Sequence, residues 1–196
     1  MTQPVPPEQI EELEELHPGL KKRTYRPTSP KDPRYNCVAW SVNRSDLFLW
    51  PGGDPVRRRG NDASTLQYWP QEYAHADELA AITLFLNDHG YTPISDGTLV
   101  HGREKVAVYL RQERAVRRRG KDLLIEVAED PFHLALQREG GWWASKMGQS
   151  IDIEHPHAED LLYIDDNTNG SILREWVLFF DRPRRPATWC SPILPL

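Results

Sequence analysis

Apolar positions recur at helical spacing in the first half of the chain and alternate with polar ones in the second, so helices should precede strands. Ile10, Leu13 and Leu16 lie three apart within Pro7 to Leu16, and His17-Pro18-Gly19 breaks the run. That spacing predicts a short helix packed on the body of the domain. Lys21 to Arg34 holds three prolines and six basic residues and reads as an extended arm. Asn36 is a good helix cap, and Cys37-Val38-Ala39-Trp40-Ser41-Val42 is an apolar run able to open a helix. A loop follows, marked by Pro51-Gly52-Gly53 and Arg57-Arg58-Arg59-Gly60-Asn61-Asp62, with Tyr68-Trp69-Pro70 as an aromatic plug. His75 to Asn87 is the clearest helix, with Leu79, Ile82, Phe85 and Leu86 on one face and Gly90 as its stop.

Beyond Gly90 the period shortens to two. Val106 to Leu110 and Leu123 to Val127 read as strands flanking a basic segment, Arg111 to Lys121. Phe132 to Gln137 is a third strand, Glu139-Gly140-Gly141 a hairpin turn, and Trp142 to Met147 the returning partner. A helical stretch around Ala158 to Leu162 precedes a last strand, Ser171 to Phe180. The expected architecture is α+β, with N-terminal helices packed on an antiparallel sheet. It divides into a proline- and charge-rich arm (1–34), one α+β domain (35–181) and a proline-rich tail (182–196).

Composition narrows the classes. With 196 residues the chain is long enough for its own core, and its 7 Trp, 7 Tyr and 5 Phe argue against disorder. No apolar run reaches the length of about eighteen residues that a membrane span needs. The N-terminus lacks the basic and apolar regions of a signal peptide, so a cytoplasmic location is expected, with delivery by a specialised secretion system left open. A net charge of −5 argues against a protein dedicated to coating nucleic acid. Two cysteines, Cys37 and Cys190, are too few for a disulfide scaffold or a four-thiolate zinc site. Gly-x-Gly-x-x-Gly, the phosphate-binding loop, the Gly-x-Ser-x-Gly elbow and His-Glu-x-x-His are all missing, and no cofactor is implied.

Candidate chemistry centres on Cys37. At a helix start a thiol meets unpaired backbone N–H groups, which favour the thiolate and could hold an oxyanion. Its base must come from elsewhere in the chain, and His133 is the best candidate. Alternation puts His133, Ala135 and Gln137 on one strand face and Leu134 and Leu136 on the other. Ser145 on the partner strand is the first choice to orient the imidazole, with Asp152 second. Asn36, Trp40, Trp69 and Trp143 are the candidate substrate contacts.

The ordered set Asn36-Cys37-Val38-Ala39-Trp40, Tyr68-Trp69-Pro70, Gly90-Tyr91, Lys105 to Tyr109, His133 to Gln137, Gly141 to Gly148 and Ile153-Glu154-His155 resembles a bacterial domain family of unknown function. More distantly, the order helix-initial Cys, strand His and following strand is similar to papain-like and cell-wall-peptidase-like cysteine enzymes. That resemblance implies a papain-like fold and a Cys37–His133 dyad for acyl transfer to or from a protein or peptide: hydrolysis, deamidation or transfer. The glutamine that papain-like enzymes place shortly before their cysteine is absent, and the segment from Tyr109 to His133 is longer than the pattern expects. Two other readings stand beside it. One is a non-enzymatic protein-interaction module of a bacterial toxin or defence system. The other is a metal-dependent hydrolase built on Asp152, Glu154, His155 and His157.

Overall fold

The computed structural model describes residues 4–51, 67–119, 122–164 and 172–185, with backbone only at 67, 115–119, 122–126 and 128. Cys190 and the arginine run at 57–59 lie outside the described residues. Nine strands are described: β1 (Arg26–Ser29), β2 (Phe48–Leu49), β3 (Gln67–Tyr68), β4 (Thr92–Ile94), β5 (Arg103–Arg119), β6 (Asp122–Gln137), β7 (Trp143–Lys146), β8 (Asp152–His155) and β9 (Ile172–Pro183). Seven of them form one sheet in the order β1-β8-β7-β6-β5-β9-β4, each pairing antiparallel. β2 and β3 make a separate two-stranded parallel ladder. The helices are α1 (Pro7–Leu16), α2 (Cys37–Ser41) and α3 (Glu78–Asp88). The α+β architecture is as expected.

β5 and β6 dominate the sheet because alternation is sustained along both. Val106, Val108, Leu134 and Leu136 face one side and pack with Cys37, Val38 and Ala39 of α2 and Ile82, Phe85 and Leu86 of α3. Ala107, Tyr109 and Ala135 face the other, with Trp143, Ile153, Leu13 of α1, Leu20 and Leu161. Two buried layers therefore share one sheet, and from Val106 to Leu110 neither face of β5 meets water. The expected strands 123–127 and 132–137 are one strand: a register shift at Leu110, which pairs with Pro131, absorbs the proline and leaves Phe132 bulged.

Local signals fix the helix ends. The Asn36 carboxamide oxygen accepts from the Ala39 N–H at 3.2 Å, capping α2. Asp77 caps α3 through the Ala80 N–H at 2.9 Å, so that helix starts three residues after the expected His75. Gly90 ends α3 with φ +82°, a left-handed backbone that costs glycine little, while the Tyr91 N–H returns to Leu86 O at 3.0 Å.

The N-terminal segment is not a loose arm. Leu13 and Leu20 are fully buried in the second layer, and β1 adds itself to the sheet edge beside β8. Gly19 marks how close the approach is: a Cβ there would lie 2.5 Å from the Ile164 Cα and 2.7 Å from the Tyr163 oxygen. Both obstacles are backbone and cannot rotate away. Gly19→Ala is expected to destabilise the fold by roughly 1–3 kcal/mol, measured by urea denaturation, whereas Gly140→Ala, with open space around it, leaves the midpoint unchanged.

Candidate functional site

Cys37 opens α2 on the face that carries Leu134 and Leu136, and only 4% of it is exposed. Burial pushes its thiol up to about 11, against the opposing pull of the Leu134 backbone and of Lys146. At neutral pH the sulfur is a protonated thiol in apolar packing.

His133 belongs to the other layer. It pairs across the strands with Tyr109, and the two rings lie 5.4 Å apart on the face occupied by α1 and the 3-10 turn Ala158–Leu161. The expected Cys37–His133 dyad is therefore not assembled, because the sheet separates the two residues' packing layers. Alternation along β6 was read correctly; what differs is the face on which α2 lands. α2 covers the leucines, not the histidine.

Ser145 does not orient His133 either. Its Oγ lies 3.0 Å from Nε2 of His155, whose Nδ1 is 2.8 Å from the His157 carbonyl. A carbonyl only accepts, so Nδ1 carries the proton and Nε2 accepts from the serine hydroxyl. That is the tautomer a serine nucleophile would need, but both side chains are fully buried and out of a substrate's reach. Burial holds the His155 imidazole below its usual range, and the pair ties β7 to β8.

The polar groups nearest Cys37 form another closed set. Lys146, fully buried, donates to the Ser150 carbonyl, lies 3.3 Å from Asp152 Oδ1 and sits 4.7 Å from the Tyr35 ring centre. Tyr35 and Ser29 each donate to Asp152 Oδ2 at 2.7 Å. Burial pulls the Lys146 ammonium below its usual range while Asp152 pulls it back up. This cluster joins β1, β7, β8 and the residue before the α2 cap.

The expected substrate contacts divide. The Asn36 carboxamide is taken up by the backbone, accepting from Ala39 and Leu49 and donating to Leu49 O at 2.6 Å. Trp69 is 2% exposed and packs against Tyr73 and Phe85. Trp143 lies in the second layer against Phe179, away from Cys37. Only Trp40 stays partly open, beneath the Arg138 guanidinium at 5.2 Å. The metal reading fails on orientation. Glu154 binds Arg26 and Asp152 the buried lysine, while His155 turns to the opposite face and His157 takes part in capping the following turn. Among the described residues no three His, Cys, Asp or Glu side chains converge on one point.

The long basic segment between Tyr109 and His133 is an elongated strand pair: β5 and β6 run 17 and 16 residues and form a ribbon paired out to Arg119 and Asp122. One feature was not read from the sequence. An arginine-lined cleft lies between the end of β9 and the β6–β7 turn. The arginines clustered at 182–185 were its only sequence signal.

A family profile described as a domain of unknown function, DUF7689, matches residues 26–172, from β1 to the start of β9. The chain belongs to the DUF7689 family. No curated protein and no solved structure matches it. The match leaves out α1, Leu20 and β9 beyond Ile172. No helix among the described residues is long and apolar enough to cross a membrane.

Two outcomes follow. A thiol-specific reagent at about pH 7 leaves Cys37 unlabelled in the folded protein and labels it only after denaturation; rapid labelling of Cys37 in the folded state, suppressed by His133→Ala, would overturn this assignment. Buried His155 and half-buried His89 both have imidazoles held low, chiefly by desolvation. The unfolded chain then binds more protons below the free histidine value, so stability is full above about pH 6.5 and falls as pH drops through that value. Urea midpoints that stay constant down to about pH 5 would contradict it.

Proposed function

We propose that this DUF7689 protein is a non-catalytic protein-interaction module that receives an acidic, extended segment of a partner along the β5 edge of its ribbon. The observation that carries this is the length of the β5–β6 pair, which runs from Val106 opposite Leu136 out to Arg119 opposite Asp122. Among the described residues, β9 follows β5 to Glu113 and β7 meets β6 from Ala135. The stretch from Arg114 to Arg119 is about 20 Å long at the usual rise per residue.

A strand edge of that length presents backbone N–H and C=O groups to any chain able to lie alongside it. The sequence supplies the selectivity: from Glu113 onward β5 carries Arg114, Arg117, Arg118 and Arg119, whereas the returning strand carries Asp122, Glu126, Glu129 and Asp130. By sequence one strand is mainly basic and the other acidic. An acidic strand adding to β5 gains backbone pairing and opposite charge together.

Acyl transfer by Cys37 is not the reading adopted, since a high-pKa thiol without a neighbouring base is a poor nucleophile. An acidic β-forming peptide of alternating Glu and Val is expected to bind the full chain in fluorescence anisotropy. Binding should be lost when residues 114–127 are replaced by a two-residue Asn-Gly turn between the paired Glu113 and Ala128, with the sheet's thermal midpoint kept. Equal binding to the truncated protein, or stronger binding of a single-stranded oligonucleotide than of the peptide, overturns the reading.

A further inference from the structure

We propose that the arginine-lined cleft at the end of β9 binds a small molecule through a phosphoryl group. The cleft holds about 480 Å³, within the range of small-molecule sites, and is lined by Glu104 near the start of β5 and Arg182 near the end of β9. Its lining brings four guanidiniums, Arg138, Arg182, Arg184 and Arg185, against three carboxylates, Glu104, Glu139 and Glu154.

Those carboxylates do not balance the arginines where the cleft is open. Glu104 is held by Arg182 at 2.8 and 2.5 Å and accepts from the Tyr91 hydroxyl at 2.6 Å, forming an interior group. Glu154 accepts from Arg26 at 2.9 and 2.6 Å and faces Arg138 at 3.4 Å. Glu139 lies 3.9 Å from Arg184 with a side chain 83% exposed, so water weakens that attraction without abolishing it and Glu139 competes with an entering anion.

Arg184 is positioned without being neutralised. Its Nη2 donates to the Arg103 and Gln137 carbonyls at 3.0 and 3.2 Å, which fixes the guanidinium but brings no counter-charge. Arg182 and Arg185 converge on a single oxygen, the His89 carbonyl, at 2.7 and 3.0 Å. Two cations are thereby drawn together at one acceptor. Desolvation, and then repulsion from Arg182, hold Arg185 below the usual arginine range. An anion entering here relieves that crowding.

The count of donors chooses the anion. A tetrahedral phosphoryl group offers three acceptor oxygens and up to two charges, whereas a lone carboxylate offers two oxygens and one charge. Leu136 adds an apolar wall, and Arg138, stacked over the Trp40 ring, extends the lining toward a flat surface where an organic remainder can rest.

The test is calorimetric titration of the full chain with inorganic pyrophosphate at about 0.15 M salt, with malonate as the carboxylate control. Saturable pyrophosphate binding is expected, weakened about tenfold by Arg184→Ala through loss of a charge-assisted donor pair. Glu139→Gln, on an exposed side chain that leaves the fold untouched, should tighten it roughly threefold by removing a competing carboxylate, and it decides the matter should Arg184→Ala fail to fold. The ribbon-truncated protein should bind pyrophosphate as the full chain does. The site is overturned by absence of saturable binding, by malonate binding as tightly as pyrophosphate, by indifference to Glu139→Gln, or by loss of binding with the ribbon.

Discussion

Because helices and 3-10 turns cover both faces of the seven-stranded sheet, alternation along β5 and β6 sorts their side chains into two cores that share no members. Each position on these strands belongs wholly to the α2–α3 side or to the α1 side. A one-residue change of register would exchange the layers, placing Tyr109 and His133 against α3 and the leucines against α1. The bulge at Phe132 matters for the same reason: it adds a residue beside Pro131 and still delivers His133, Ala135 and Gln137 in phase with Tyr109 and Ala107. The separation of Cys37 from His133 is a consequence of this sorting and not of any local accident at either residue.

The buried polar groups follow the same division and close on themselves within each layer. On the α2 side, Lys146, Asp152, Tyr35 and Ser29 form a set in which the ammonium meets one carboxylate oxygen and two hydroxyls meet the other. An ammonium without water is costly, and losing its carboxylate would leave a buried charge uncompensated. The cluster therefore demands that β1 stay docked, since Ser29 is part of it. It also demands that Tyr35, next to the α2 cap, stay over the lysine. On the α1 side, Ser145, His155 and the His157 carbonyl close in the same way. Groups that resemble catalytic parts in isolation become internal ties once their partners are named.

Much of the fold was legible. Short-range signals held where the chain decides locally: the spacing of Ile10, Leu13 and Leu16 in α1, the Asn36 cap, the Gly90 stop, and alternation through Leu134 and Leu136. What could not be read was which neighbour each face would meet. Alternation at His133 is the same whether α2 or α1 covers it, and only packing settles that choice. β1 was illegible because Arg26 to Ser29 holds a proline and no apolar residue; it is an edge strand held partly by side-chain bonds, Arg26 to Glu154 and Ser29 to Asp152. Pro131 disguised the continuity of β6, since proline normally ends a central strand, and the bulge that tolerates it has no one-dimensional signature. Ser145 was assigned to the wrong histidine because β7 lies between β6 and β8, and β8, paired directly with it, supplies His155.

Charge shows how an acidic chain can carry two basic surfaces. The net charge of −5 is a sum over the molecule. A ligand at a surface responds to charges within about one screening length, roughly 8 Å in physiological salt. Near the end of β9 Glu104 and Glu154 are already bound to arginines or to a tyrosine hydroxyl, which leaves the exposed Glu139 as the acidic lining residue facing Arg184. By sequence β5 carries most of the ribbon's basic residues and β6 most of its acidic ones, so the ribbon as a whole is nearly balanced. A short anionic group at either place lies outside most of the acidic remainder. A long polyanion would have to cross it, and the overall charge works against that partner while leaving compact ones unhindered.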